Sequence, residues 1–298
     1  MRISIFGGDL SSIDAAVAMA KQVESDGFAG FHLPQIFGLD ALTTLAVVGR
    51  EVPRIELGTG VVPTYPRHPA MLAAQALTTQ QATGGRLMLG IGLSHQIVIE
   101  SMFGYSFEKP ARHMREYLSI LMPLLHGEPS AFTGETLTGN LGLGITAPPP
   151  AVLVAALGPR MLDLAGRMTD GTVTWMTGPA TLDSHIVPSI SKAAADAGRP
   201  APRIAVGLPV CVTDDVDGAR TRAAETFSVY GFLPSYRAML DREGAAGPAD
   251  VAIIGDEAAV AAGIQRVADA GGTDFSAAEF GGSTDERTRT RALLRSLV

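Results

Sequence analysis

Ile55-Glu56-Leu57-Gly58-Thr59-Gly60-Val61-Val62-Pro63-Thr64-Tyr65-Pro66-Arg67-His68-Pro69 begins as an apolar, branched run and breaks at Gly58-Thr59-Gly60. It then passes three prolines into the helix-like Ala70-Met71-Leu72-Ala73-Ala74-Gln75-Ala76-Leu77. A short apolar run bounded by glycine and followed by a helical stretch reads as one βα unit. Gly60 permits backbone angles closed to other residues, and the prolines stiffen the loop behind it. A strand end built this way presents backbone to a ligand. The same residues also suit an ordinary strand-to-helix turn, and the segment alone leaves both readings open.

The pattern repeats in both directions. Strands are expected near 2–7, 29–33, 55–62, 86–91, 151–156, 171–175, 203–212 and 274–278. Helices are expected near 11–26, 40–51, 69–82, 111–126, 159–168, 179–198, 215–230 and 285–297. Ser11-Ser12-Ile13-Asp14 supplies a hydroxyl cap and an acidic first turn, Gly27 a helix end, and Pro159 a favoured first helical residue. Eight strands each followed by a helix imply a closed (β/α)₈ TIM barrel, a single domain over residues 1–298. Residues 95–150, after the fourth strand, are too long for one connection. They hold a helix, a small hairpin around 132–137 and the stiff Pro148-Pro149-Pro150. Residues 231–272, before the eighth strand, combine a loose Gly/Ala/Pro-rich part with a helix near 256–270. Such long connections tend to serve as lids or interaction surfaces.

Composition narrows the class. The chain has 298 residues, 46% of them hydrophobic and 18% charged, enough apolar content for a large core. No apolar run reaches the roughly 18–20 residues that span a bilayer, and the chain enters its first strand without a signal peptide, so a cytoplasmic protein with no membrane partner is expected. Cys211 is the only cysteine; it excludes an internal disulfide, and Val210 and Val212 imply a buried thiol. A net charge of −7 argues against nucleic acid as the main partner. No HxH falls on a strand and no HExxH on a helix, so a metal-dependent barrel hydrolase is disfavoured and no metal ligand is assigned.

Barrel enzymes place their sites at the C-terminal ends of the strands. The unusual residues collect there: Gln35, Gly60 to Tyr65, Gly92 to His95, Ala156-Leu157-Gly158 and Trp175. Ala156-Leu157-Gly158-Pro159-Arg160 is the best anion site, because the first amides of a helix are unpaired and carry partial positive charge. Gly158 would let the backbone approach a phosphate, and Arg160 would add charge or merely cover the helix. Tyr65, Trp175 and Phe37 either line the substrate cavity or pack in the core. His32 reads as pocket wall or satisfied core, His68 as a cap of the third helix, Arg67 as a partner for an acid, and His113, His126 and His185 as surface residues.

Four segments taken in order resemble the bacterial luciferase-like family of flavin- and deazaflavin-dependent oxidoreductases. They are 55–69, Thr83-Gly84-Gly85-Arg86-Leu87-Met88-Leu89-Gly90-Ile91-Gly92-Leu93-Ser94-His95, Ala155-Ala156-Leu157-Gly158-Pro159-Arg160-Met161-Leu162 and Ala165-Gly166-Arg167-Met168-Thr169-Asp170-Gly171. The actinobacterial branch that uses coenzyme F420 is the nearest in appearance, and the likeness spans nearly the whole chain. It implies a cis peptide at Gly60-Val61 supporting the back of a tricyclic cofactor ring, with Gly92 leaving room for that ring and Ser94 beside it. It implies a phosphate at 156–160. Many relatives carry an acidic residue followed by His where this chain has Gln35-Ile36, and several carry Glu where this chain has His95. His95 is left as the titratable side chain of the pocket, suited to general acid work, with Gln35 as a hydrogen-bonding partner. The function implied is hydride transfer between the F420 C5 position and a small organic substrate, by a homodimer pairing through its second and third helices. An FMN-dependent monooxygenase and a catalytically silent flavin-binding barrel are the alternatives.

Overall fold

A computed structural model describes all of residues 1–298. In chain order the elements are β1 (Arg2–Phe6), α1 (Ile13–Ser25), β2 (Gly30–Leu33), α2 (Ala41–Glu51), β3 (Glu56–Thr59), β4 (Val62–Pro63), α3 (Pro69–Ala82) and β5 (Leu87–Gly92). Then come α4 (Pro110–Leu125), β6 (Ser130–Thr133), β7 (Thr138–Leu141), β8 (Ala151–Ala155), α5 (Pro159–Met168), β9 (Gly171–Trp175), α6 (Pro179–Thr181) and α7 (Val187–Asp196). The chain closes with β10 (Arg203–Val212), α8 (Val216–Thr226), α9 (Pro234–Glu243), β11 (Ile253–Gly255), α10 (Glu257–Asp269), β12 (Asp274–Glu279) and α11 (Thr284–Ser296).

The main sheet runs β12-β1-β2-β3-β5-β8-β9-β10, and β10 pairs with both β9 and β12 to close the ring. All these ladders are parallel, so this is a (β/α)₈ TIM barrel. β4 pairs with β5 just beyond β3, and β11 extends the sheet beside the end of β10. Parallel strands covered on both faces bury every residue; β5 does so over its whole length, and β10 over all but Arg203. The helices lay their apolar stripes on the outside of this ring, and one continuous core of 55 buried residues runs between the two layers. Cys211 is fully buried in β10. No helix is long and apolar enough to cross a membrane.

Charge fills the bottom of the barrel. Arg203 makes two hydrogen bonds of 3.0 Å to Glu56 and one of 2.7 Å to Asp274. Burial would raise the Glu56 carboxyl, but the contacts from His32 and Arg203 outweigh it and hold the group well below the usual carboxylate range. His32 is core: its Nδ1 lies 3.0 Å from the Ser276 hydroxyl, and a Cβ at Gly58 would sit 2.5 Å from its ring.

Four expectations change. The strand at 55–62 is two pieces, interrupted at Gly60-Val61. The helix at 179–198 is two helices joined by a wide turn at Leu182–Ile186. The helix at 215–230 stops at Thr226 and continues as a tight turn, Ser228–Gly231. The segment 231–272 is ordered, holding α9 and β11 as well as the expected helix, now α10. The hairpin appears as β6–β7, with its turn held by four hydrogen bonds to the Glu116 carboxylate from Glu135, Thr136 and Leu137.

Candidate active site

The ridge at the barrel mouth is built from small residues. Thr59 pins β3 to β5: its hydroxyl donates to the Gly90 carbonyl at 2.8 Å and accepts from the Gly90 amide at 2.9 Å. The next peptide, Gly60-Val61, is cis. A Cβ at Gly60 would lie 2.7 Å from the Phe6 ring, so glycine leaves the room that this aromatic occupies beside the ridge. Gly92 has a different task from the one expected. Its Cβ would meet the Val61 side chain at 2.7 Å and Ala155 at 3.1 Å, and Gly92 is buried. The space it leaves is filled by Val61. Gly92 therefore shapes the mouth through Val61.

The helix termini distinguish one anion site. In a parallel barrel each helix begins at the strand C-terminal face, where its first amides need acceptors. Side chains of Ser12, Asp40, His68, Asp215 and Ser283 meet this need at α1, α2, α3, α8 and α11. At α6 the Glu243 carboxylate accepts from Ala180 at 3.1 Å and from Thr181 at 2.7 Å. Among the helices that follow a barrel strand, α4 and α5 begin without a side-chain cap; α4 starts at Lys109 after the long connection from β5, whereas α5 starts at the strand end itself. The amides of Leu157, Gly158 and Arg160 donate to no protein acceptor. Gly158 has φ −80° and nothing within 4 Å of where a Cβ would stand. Packing does not demand glycine here; the open space in front of free amides fits a phosphate. Ala156 is corrected: it is fully buried, and its amide points to the Thr172 hydroxyl at 3.3 Å, so it belongs to the scaffold. Pro159 and Arg160 are exposed, and Arg160 has no carboxylate partner.

His185 was expected at the surface, but it is buried, and its Nε2 donates to the Leu157 carbonyl at 2.8 Å. That bond turns the carbonyl of the anion loop toward the helix layer. His113, also expected at the surface, is buried too: its Nε2 lies 3.0 Å from the Thr64 hydroxyl, and Tyr65 stacks on its ring at 3.9 Å with the planes 3° apart. Burial pushes the His113 ring down to about 4 despite Glu116 nearby, so it is neutral. Tyr65 is further covered by Phe107, its hydroxyl is buried without a partner, and burial with the Glu100 charge pushes the phenol up to about 12. His126 is exposed. His68 caps α3 and Arg67 pairs with Asp40, as expected.

His95 follows Ser94, whose φ of +61° turns the chain out of β5. Its carbonyl accepts from Val98 and Ile99, while its ring has no hydrogen-bond partner and leans on Tyr236 at 5.6 Å. From there an aromatic belt crosses the mouth: Tyr236 to Tyr230 at 5.1 Å, Tyr230 to Trp175 at 5.9 Å, Trp175 to Phe6 at 5.5 Å. The belt joins His95 to the Gly60 ridge. Trp175 fits because a Cβ at Gly207 would come within 2.9 Å of its ring. Tyr230 and Tyr236 escaped the sequence reading. The signal was there: Phe227, Tyr230, Phe232 and Tyr236 fall within ten positions of a chain that is 6% aromatic. Gln35 is partly committed, since its Oε1 accepts from the Ala41 amide at 2.7 Å; its amide hydrogens remain free. Phe37 stands on the loop after β2 and is 65% exposed.

The family described as luciferase-like monooxygenase matches residues 2–286, and the chain belongs to it. Relatives include a 5,10-methylenetetrahydromethanopterin reductase of Methanolobus tindarius, 30% identical over 69% of this chain. That match spans 63% of the reductase, under two thirds of its length. A putative coenzyme F420-dependent oxidoreductase of Mycobacterium tuberculosis is 30% identical over 78% of this chain and 71% of its own. Among solved structures, the coenzyme F420-dependent tetrahydromethanopterin reductase from Methanopyrus kandleri superposes with a TM-score of 0.81 at 20% identity, covering 100% of this chain and 97% of that one.

Proposed function

We propose that this chain is an oxidoreductase that holds coenzyme F420 and works on a small organic substrate at the barrel mouth. The observation that carries the reading is the uncapped start of α5, where free amides of Leu157, Gly158 and Arg160 face open space. Six other barrel helices satisfy their amides with side chains, so this one is left for an external anion. The mycobacterial relative, F420-dependent by its name, favours the deazaflavin over FMN. When bound, the deazaflavin would accept or give up a hydride at C5. The protein's part is positional and electrostatic. Leu157, Gly158 and Arg160 anchor the phosphate, and the Gly60-Val61 ridge backs the ring. The belt from Tyr236 to Phe6 keeps water from the reacting face, and His95 offers an N–H to charge that builds there.

Fluorescence titration of the purified protein with F420 and with FMN tests the cofactor. Low-micromolar binding of F420 is expected; low-micromolar FMN binding without any change in F420 fluorescence overturns the reading.

A further inference from the structure

Trp175 ends the sixth barrel strand with a donor left over. Its ring meets Phe6 at 5.5 Å, three strands away around the barrel, so the indole lies inside the mouth and not among the outer helices. Three features hold it there. Gly207 leaves room for the ring, Met176 turns out of the strand at φ +53° although fully buried, and the Thr177 hydroxyl donates to the Trp175 carbonyl at 3.2 Å. A positive φ at a buried residue other than glycine is strained and persists only where its surroundings enforce it. The Nε1–H of this ring is nevertheless buried and closes no hydrogen bond, and an unmet buried donor is costly. The group facing it is the phenol of Tyr230, which stands edge-on to the indole at 5.9 Å with the planes 73° apart. Burial raises that phenol and the Trp175 N–H draws it partly back, so the phenol oxygen is turned to the donor. Tyr230 itself stands on the tight turn Ser228–Gly231, in the excursion that β11 pins to the end of β10. Its hydroxyl is not sealed in the interior as those of Tyr65 and Tyr117 are.

We infer that the Tyr230 hydroxyl, oriented by Trp175, is the hydrogen-bond donor that seats the oxygen of a neutral carbonyl or alcohol substrate. The inference rests on the oxidoreductase reading above and adds to it the class of substrate. A phenol oxygen turned toward one donor points its own hydrogen elsewhere, and accepting from the indole strengthens what it donates. An acceptor in the mouth therefore meets a hydrogen already aimed. The belt around it, Phe6, Trp175 and Tyr236, carries no charge, so a carboxylate or phosphate seated there would lose water with no cation to replace it. Tyr230 thus holds the oxygen of a neutral group. His95 stands on the other side of Tyr236 and keeps its separate task. Trp175 is the positioning residue, acting through Tyr230.

The test titrates the full chain, with oxidised F420 present, against two probes followed by fluorine NMR. One is para-fluoroacetophenone; the other is its methylene counterpart, in which CH2 replaces the carbonyl oxygen at nearly equal shape. The wild type is expected to bind the ketone about fivefold more tightly, the size of one neutral hydrogen bond. In Tyr230→Phe the two affinities become equal, while that for the methylene probe stays within about twofold of wild type and reports an intact mouth. Trp175→Phe keeps an aromatic ring without the N–H, and the ketone preference falls by at least half. Equal affinities in the wild type, a preference that survives Tyr230→Phe, or binding of neither probe overturns the assignment of Tyr230. F420 affinity, read separately by its fluorescence, is expected within about threefold of wild type in Tyr230→Phe. If F420 fails to bind the wild type while the ketone preference holds, the cofactor reading falls and the Tyr230 donor stands.

Discussion

His95 owes its chemistry to where the chain puts it. Leaning on Tyr236 and losing water to burial, its ring is held below the ordinary histidine value. A lowered pKa means that the ring is neutral at pH 7 and becomes charged only as the pH falls through that lower value. A neutral ring can offer a hydrogen bond, and below its pKa a proton as well, which is the role proposed for His95. His95→Ala is expected to keep F420 affinity within a few-fold and to lower turnover at least a hundredfold, within the roughly 10²–10⁴ that such groups contribute. The acid-side ionisation in the wild-type kcat/KM profile, placed below about pH 6.5, should vanish in His95→Asn. Gln35→Ala is expected to cost less, because its carbonyl oxygen already serves the Ala41 amide. Near wild-type turnover by folded His95→Ala, once a substrate is in hand, would make His95 a wall of the pocket.

At the scale of the element, the first turn of α5 separates binding from folding. Gly158 sits at the helix cap with an ordinary φ of −80° and open space around it. Aspartate is among the favoured caps, so Gly158→Asp should leave the melting temperature unchanged or raise it. Its carboxylate would occupy the same amides that are free for a phosphate. Binding of F420 should weaken at least tenfold, about 1.4 kcal/mol, without loss of the barrel by circular dichroism. Unchanged affinity in a folded variant moves the phosphate elsewhere. The other elements here were legible to different degrees. The break in the third strand was signalled by Gly60, and the α3 cap by His68 before Pro69. α9 was missed because Pro234–Glu243 is polar on most faces, with only Met239 and Leu240 buried, so its periodicity is weak.

For the molecule as a whole, we propose a symmetric pair of chains meeting through α2 and α3. Most of the apolar residues of these helices face the barrel, including Leu42, Leu45, Val48, Leu72 and Ala73, while Val47 and Met71 stay exposed. Light scattering should report about twice the 31.0 kDa chain mass, and a mass near 31.0 kDa at working concentration would exclude the pair.

Local pattern was enough to determine the barrel and to point to the strand ends and the 156–160 loop as the candidate site. Short apolar strands, amphipathic helices, glycines and caps are properties of neighbouring residues, and the alternation of eight such units admits few closures. Which amides stayed free was beyond its reach. Glu243 closes the α6 terminus from 63 residues away, and His185 fixes the Leu157 carbonyl from 28 residues away. The same holds for the task of Gly92, which depends on Val61 folding across it, and for the burial of His113 under Tyr65. The facing of Trp175 and Tyr230 depends on the excursion after β10 folding back to the mouth, a contact between residues some 55 positions apart in the chain. A side chain's partner across the fold leaves no trace in the residues beside it, so the tertiary structure alone decided which candidate residues face open space and which hold the scaffold.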